Sequence, residues 1–196
     1  MPFRPEQRAI TGAAALAAVR FVDWAPADFA AHVDEAMAIY VKAMGYLSQA
    51  GPQRAVSARR HVHHAGFAAR AALAGDGQLI GFGYGYTTAP GQWWHDLVQA
   101  AIGPVLAAEW LRDAFELSEL HVLPAYQGQR IGRVLLTGLA AGLPQRAMLL
   151  STPDSDTRAF RMYHHLGFTD LRRDYIFPGD GRRFAVLGTR LPLLSR

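Results

Sequence analysis

The chain contains no cysteine, so disulfides, thiolate nucleophiles and cysteine-ligated metals are excluded. Lysine is nearly absent as well. Lys42 stands against nineteen arginines, a bias that a GC-rich genome would produce. No run of eighteen apolar residues occurs, which leaves no candidate membrane-spanning helix. A basic tract is missing too: the arginines are scattered, with short pairs at Arg59-Arg60, Arg172-Arg173 and Arg182-Arg183, and the formal charge is only +4. A nucleic-acid binder usually presents a concentrated basic face, whereas a small anionic ligand is compatible with so dispersed an excess. Repeats, low-complexity tracts and obvious linkers are likewise lacking.

What remains is a globular composition. About half of the 196 residues are hydrophobic and under a fifth are charged, enough to bury one domain core. At the N-terminus, Arg4 and Arg8 precede an alanine-rich run from Ile10 to Val19. This faint likeness to a secretory leader is opposed by Glu6 and by the weakness of the run, and cytoplasmic residence is the expectation.

Periodicity and turn signals order the rest. Residues 17–23 predict a strand. A helix follows from Pro26 and Asp28, with Phe29, Val33, Met37, Tyr40 and Met44 at helical spacing, broken by Gly51-Pro52. Ser57 is expected to cap a second helix running through His64 and ending at Gly66. Strands at 67–72 and 78–88 flank Ala74-Gly75-Asp76-Gly77, a hairpin signal. Residues 89–113 read as a tryptophan-rich, partly helical excursion. The spacing then predicts a strand at 115–123, a helix at 130–142, a strand at 147–152, a helix at 156–166, and a final hairpin of 171–177 with 183–191. The expected architecture is one α+β domain.

The run Gln127-Gly128-Gln129-Arg130-Ile131-Gly132-Arg133 joins the predicted strand to the predicted helix. A helix that opens this way aims unpaired N–H groups and its positive dipole end at whatever lies in front of it. That is a ready-made phosphate or pyrophosphate site. It lacks the Lys-Ser/Thr ending of a nucleotide-binding P-loop.

Together with its flanks, Glu116 to Leu136, this run resembles the acyl-CoA motif of GNAT-superfamily N-acetyltransferases, written Q/R-x-x-G-x-G/A, with Gln127 and Gly132 in its first and last positions. Downstream, Asp156 to Phe168 resembles the family's second signature, a helix carrying a tyrosine (Tyr163) and ending in Leu166-Gly167-Phe168. Arg130 stands where the motif's middle glycine usually does, and Asp156 where the second signature usually begins with asparagine. A carboxylate cannot donate the hydrogen bond that an amide can.

The resemblance implies a GNAT-like α+β fold over residues 17–193, behind an N-terminal extension of residues 1–16. Its central sheet is mixed but mostly antiparallel, splayed at the CoA site, with helices on both faces. It implies acetyl-CoA as co-substrate and no metal. Backbone groups of Leu120 and Val122, with His121 between them, would pair with the pantetheine arm. Gln127, Gly128, Gln129, Arg130, Ile131, Gly132 and Arg133 would cradle the pyrophosphate, and Asp156, Phe160 and Tyr163 would flank the cofactor from the second signature. The implied acceptor is a primary amine of a small molecule or peptide, and a homodimer is a further expectation.

Direct acetyl transfer needs a base for the amine and a proton for the departing thiolate. Glu116, eleven residues before Gln127, occupies the position where family members keep a base, with Glu119 as second choice. Strict strand alternation places Glu116, Ser118, Leu120 and Val122 on one face, and Glu119 and His121 on the other; a bulge would turn Glu119 inward. Both carboxylates have an alternative as ordinary strand residues. Tyr163 matches the family's proton donor, its alternative being an aromatic packed on the sheet. Trp93, Trp94 and His95 fall where family members place acceptor loops, and equally suit core packing or a dimer contact. Of His61, His63 and His64, only His61 with His64 has a ligand-like helical spacing, and no nearby carboxylate completes a metal site.

Overall fold

A computed structural model describes residues 19–193. Seven strands form one sheet in the order β1-β2-β3-β4-β5-β7-β6, comprising β1 (Arg20–Trp24), β2 (Ala68–Leu73), β3 (Leu79–Thr87), β4 (Ala114–Val122), β5 (Ala147–Pro153), β6 (Thr169–Tyr175) and β7 (Phe184–Arg190). Every pairing is antiparallel except β4 with β5. The helices are α1 (Pro26–Met44), α2 (Ala50–His61), α3 (Trp93–Trp110), α4 (Ile131–Ala141) and α5 (Arg158–His165). The architecture is the expected α+β one. Residues 17 and 18, the 1–16 extension and most of the leader-like run lie outside the described residues.

Several boundaries differ from the sequence reading, each for a local reason. Helix α1 ends at Met44 because Gly45 takes a left-handed conformation, φ 67°. Its start is fixed by the Asp28 carboxylate, which accepts from the Ala25 amide at 3.0 Å. Gly51-Pro52 does not break a helix; it sits in the first turn of α2, where proline lacks only an N–H that would be unpaired anyway. Ser57 is consequently mid-helix and caps nothing, and α2 ends at His61 rather than His64. Thr157 caps α5 through its hydroxyl, which accepts from the Phe160 amide, so that helix begins after Asp156. In α3 the helical path is interrupted at Gly103 (φ 80°), just before Pro104.

Strand β3 explains how the layers are assigned. From Gly81 to Tyr86 it alternates glycine with aromatic residues, so one face is bare and the other carries Phe82, Tyr84 and Tyr86. The aromatic face meets α1 and α2: Phe29 lies 4.5 Å from Tyr84 between ring centroids, within a cluster that includes Val33, Met37, Ala55 and Ala58. The glycine face lets neighbouring groups approach closely. A Cβ on Gly85 would stand 2.0 Å from the Glu116 carbonyl oxygen and 2.5 Å from the Phe115 ring. Helix α4 covers this side, with Ile131 and Leu135 packed on Ile80 and Ala72.

Candidate active site

Strands β4 and β5 run parallel for three residue pairs, Ala114 with Ala147, Phe115 with Met148 and Glu116 with Leu149. Beyond that point they part. Residues 117–122 of β4 pair with β3 alone, and residues 150–153 of β5 pair with β7 alone. The sheet thus splits into two halves with an open strand edge facing the gap. A cleft of about 1570 Å³ follows the split, larger than the ~300–1,000 Å³ typical of a site for one drug-sized ligand.

A bulge at the split overturns strict alternation along β4. Glu116 pairs with Tyr86, Leu117 with Gly85 and Glu119 with Tyr84, leaving Ser118 as the extra residue. After the bulge the phase is reversed. Glu116, Glu119 and His121 therefore share the face of Tyr86, Tyr84 and Phe82, while Leu117, Leu120 and Val122 share the glycine face. Both carboxylates line the cleft and both are buried, Glu116 at 3% exposure and Glu119 at 7%.

Their environments diverge. Tyr86 donates its hydroxyl to Glu116 Oε1 at 3.0 Å, and Oε2 is buried without a partner. Burial pushes the Glu116 carboxyl up to about 8, against the Tyr86 hydrogen bond and the Arg54 charge, with Glu119 adding to the rise. Burial acts on Glu119 as well, but there the Arg54 guanidinium and the His121 ring outweigh it and hold the carboxyl at about 2. Arg54, projecting from α2, is ion-paired to Glu119 and reaches Ser118 Oγ at 3.4 Å. His121 Nε2 lies 2.5 Å from the other Glu119 oxygen.

Behind this pair, His61 and His64 come together against Tyr86, at 4.9 Å and 4.5 Å between ring centroids. His61 Nδ1 is 3.1 Å from the Tyr84 hydroxyl. Burial, then the charges of Arg54 and His64, lower its pKa to about 4. Across the gap, Tyr163 of α5 lines the cleft and packs on Phe168. Burial and the Glu119 charge raise its pKa, so the phenol keeps its proton through the physiological range.

At the far end, a loop carries the chain from β4 into α4. Arg130 occupies the N-cap position with φ 63° and ψ 4°, the left-handed region that favours glycine. Val134 donates to the Arg130 carbonyl at 3.1 Å, so the earlier amides of Ile131 and Gly132 have no acceptor in their own helix. Gln127 Nε2 donates to the Val122 carbonyl at 3.0 Å, tying the loop to the strand. Arg158, at the start of α5, approaches the same loop: its Nη1 is 3.6 Å from where a Gly128 Cβ would be.

Not every expected residue reaches the cleft. Leu120, His121, Val122, Gln127, Gly128, Arg130, Gly132, Arg133 and Tyr163 line it, whereas Gln129, Ile131, Asp156 and Phe160 do not. Ile131 is buried in the core, and the Gln129 side chain turns back to Ala125 O at 3.5 Å. Asp156 is exposed and ion-paired with Arg161 at 2.7 Å. Phe160 lies under Arg173, whose Cζ is 4.9 Å from the ring centroid. Trp93 and Trp94 line the cleft, Trp94 donating to Ser151 Oγ at 3.1 Å. His95 is turned away, buried beside Asp96 with Nδ1 3.0 Å from Oδ1. Arg54, Tyr86 and Arg158 were missed by the sequence reading. The aromatic alternation of β3 held a signal for Tyr86, while a lone arginine within a helix gives none for Arg54.

With this geometry in view, comparison with known proteins is decisive. Residues 33–168 match the acetyltransferase (GNAT) family. The chain belongs to that family. A curated relative, the GCN5-like protein acetyltransferase Rv2170 of Mycobacterium tuberculosis (strain H37Rv), is 37% identical, over 90% of this chain and 100% of the relative. Among solved structures, a GNAT-family protein from Desulfovibrio desulfuricans has a TM-score of 0.61 at 17% identity, covering 88% of this chain and 99% of its own. The yncA protein of Salmonella typhimurium, solved with acetyl-CoA, has a TM-score of 0.59 at 16% identity, covering 91% and 95%. Both share the fold of this acetyltransferase family member.

Proposed function

We propose that this protein is an acetyl-CoA-dependent N-acetyltransferase that moves an acetyl group directly to a primary amine carried by a polypeptide. The observation that carries the proposal is the split between β4 and β5, with buried Glu116 and Tyr163 both lining it. The residues around the split suit the co-substrate. The unpaired edge at residues 117–122 offers backbone partners to a pantetheine arm, and the amides at the start of α4, with Arg158 close by, suit a pyrophosphate. When bound, acetyl-CoA supplies the activated acetyl group.

The chain's own groups then handle protons. Glu116 takes a proton from the amine, and Tyr163 gives its phenolic proton to the departing sulfur, so proton loss and gain balance. Glu119 is unsuited to the base's role, since Arg54 and His121 hold it as an ion pair. It keeps Arg54 in place and, by its charge, helps raise Glu116. The polypeptide acceptor is supported by the description of the 37% identical relative as a protein acetyltransferase.

One observation favours a second reading, an acyl-CoA-binding module with weak transfer. Near neutral pH Glu116 is mostly protonated and Glu119 is engaged, so neither is a ready base. One measurement tests both readings and a second separates them. Acetyl-CoA should raise the melting temperature under either, because it binds the folded state. Release of free thiol in the presence of a peptide amine at pH 9, abolished by Glu116→Gln, is required by the enzyme. An unchanged melting temperature at saturating acetyl-CoA would overturn both.

A further inference from the structure

The end of the cleft away from the α4 loop has three properties that together describe what enters it. First, it is walled by rings: Tyr40, Tyr46, Tyr86, Trp93, Phe177 and Phe184 all line it. Trp93 is 60% exposed at the rim, with its ring 5.7 Å from Phe177. Second, two of its three carboxylates are already paired. Glu116, Glu119 and Asp180 are the carboxylates lining the cleft. Glu119 is paired with Arg54, and Asp180 with Arg182 through Nε to Oδ1 at 2.9 Å. Glu116 alone among them has no ion-pair partner among the described residues.

Third, the passage is bridged. Tyr46 lies in the loop between α1 and α2, over the β1–β4 half of the sheet. Arg182 lies in the loop between β6 and β7, on the other half. The Arg182 Cζ sits 4.6 Å from the Tyr46 ring centroid, so their contact spans the split. Arg182 is further fixed over Phe184 at 5.1 Å, and Tyr46 stands edge-on to Tyr40 at 5.2 Å. A cation held between two rings and a carboxylate is not a freely moving rim residue.

Building on the proposed transferase activity, we infer that the acceptor is an amine with a single positive charge on a slender apolar stem, and that Tyr46 and Arg182 set the width of the passage. A second ammonium would find no further unpaired carboxylate and would face the guanidiniums of Arg54, Arg60 and Arg182, which line the same cleft. A bulky cage or polycyclic body would have to break the Tyr46–Arg182 contact to approach Glu116. A slender stem passes along the aromatic walls and brings its nitrogen to the unpartnered Glu116 Oε2.

Three amines test charge and width separately, with thiol release from acetyl-CoA as the readout. Nα-acetyl-lysine methylamide has one cation on a thin stem, spermidine is equally thin with several cations, and 1-adamantanemethylamine has one cation on a bulky body. The first should have a kcat/KM at least about tenfold above each of the others. Tyr46→Ala and Arg182→Ala should each narrow the gap to the adamantane amine by about fivefold or more, through its KM, while leaving the KM for acetyl-CoA unchanged. Tyr46→Phe keeps the ring and should keep wild-type selectivity. Spermidine equal to or better than the lysine derivative would overturn the single-charge inference. Unaltered selectivity in both alanine variants would overturn the width assignment. Either failure leaves the transferase standing. Absence of transfer to all three amines, with acetyl-CoA still raising the melting temperature, would overturn the transferase reading and this inference with it.

Discussion

Tyr86 and Glu116 are register partners on adjacent strands, and the tyrosine hydroxyl donates to one carboxylate oxygen at 3.0 Å while the other oxygen is left buried and unpartnered. The hydrogen bond orients the carboxyl and favours its charged form, yet burial still dominates and leaves the group with a pKa of about 8. In the proposed role of base, such a carboxyl would be matched to slightly alkaline conditions.

The first prediction concerns rate against pH. Glu116 must be deprotonated to accept the amine's proton, so kcat/KM should rise with pH through about 8 and level off above it. Glu116→Gln should lower kcat by roughly 10²- to 10⁴-fold while the melting-temperature shift with acetyl-CoA persists. A pH profile of initial rates, wild type against variant, checks both. A flat profile between pH 6 and 9 would remove Glu116 from the role of base.

The second concerns stability. Glu116 has a folded pKa raised above its unfolded value, so its contribution to stability is fully present below the ordinary carboxylate range and is lost as pH rises through about 8. Glu116→Gln removes this loss. Its melting temperature should therefore gain on wild type from about pH 4.5 to about pH 8 and hold a constant difference above that. His61 behaves oppositely in sense: its lowered pKa contributes stability above its unfolded value of 6.5 that is lost as pH falls toward 4. Thermal scans across pH 4–10 would reveal both limbs.

Third, Arg54→Ala strands the Glu119 carboxylate among buried groups. The cost should be about 3–5 kcal/mol, as when one partner of a buried pair is removed. The double variant Arg54→Ala with Glu119→Gln should recover part of it. Denaturant unfolding of the set measures the coupling.

Fourth, Gly85→Ala would press a Cβ against the Glu116 carbonyl and the Phe115 ring. Overpacking against backbone should cost roughly 1–3 kcal/mol or more, and any relief must shift Glu116 itself. Activity should fall by more than the loss of folded protein explains, a comparison available from active-site titration.

Fifth, Arg130→Gly should raise stability by about 1 kcal/mol, because a left-handed conformation at a residue with a side chain costs roughly that much. The amides of the α4 turn are untouched by the change. Acetyl-CoA should still shift the melting temperature, by less than in wild type if the arginine charge contributes to the affinity.

Much of this was legible in the chain. The order of elements followed from hydrophobic period and turn residues, and the junction of loop and helix at residues 127–133 from its glycines and the apolar period after it. Glu116 came from the resemblance to the GNAT family, whose members keep a base eleven residues before the position of Gln127. Alternation failed at Ser118, since a bulge is set by pairing with β3 and by what packs on both faces, neither of which a single strand reveals. Proline at position 52 misled for a comparable reason: it tolerates the first turn of a helix as readily as it ends one, and Gly45 was the actual terminator. Asp156 and Phe160 were assigned by their place in a motif, but the cap at Thr157 and the pull of Arg161 and Arg173 direct both away from the cleft. Arg54 was invisible because its partner lies sixty-five residues ahead.

The extra residue in β4 also acts as a frame marker. Deleting Ser118 would leave every face as it is. Straightening the bulge with Ser118 kept would instead restore strict alternation downstream, setting Ser118 opposite Tyr84 and Leu120 opposite Phe82 and sending Glu119 and His121 beneath α4. Every residue would be kept, and the loop, the helices and the motif would still be recognisable in the sequence. The acidic pair would nevertheless be divided between the two sides of the sheet. In this strand the pairing register, as much as the chemistry of its residues, decides which side of the sheet each side chain meets.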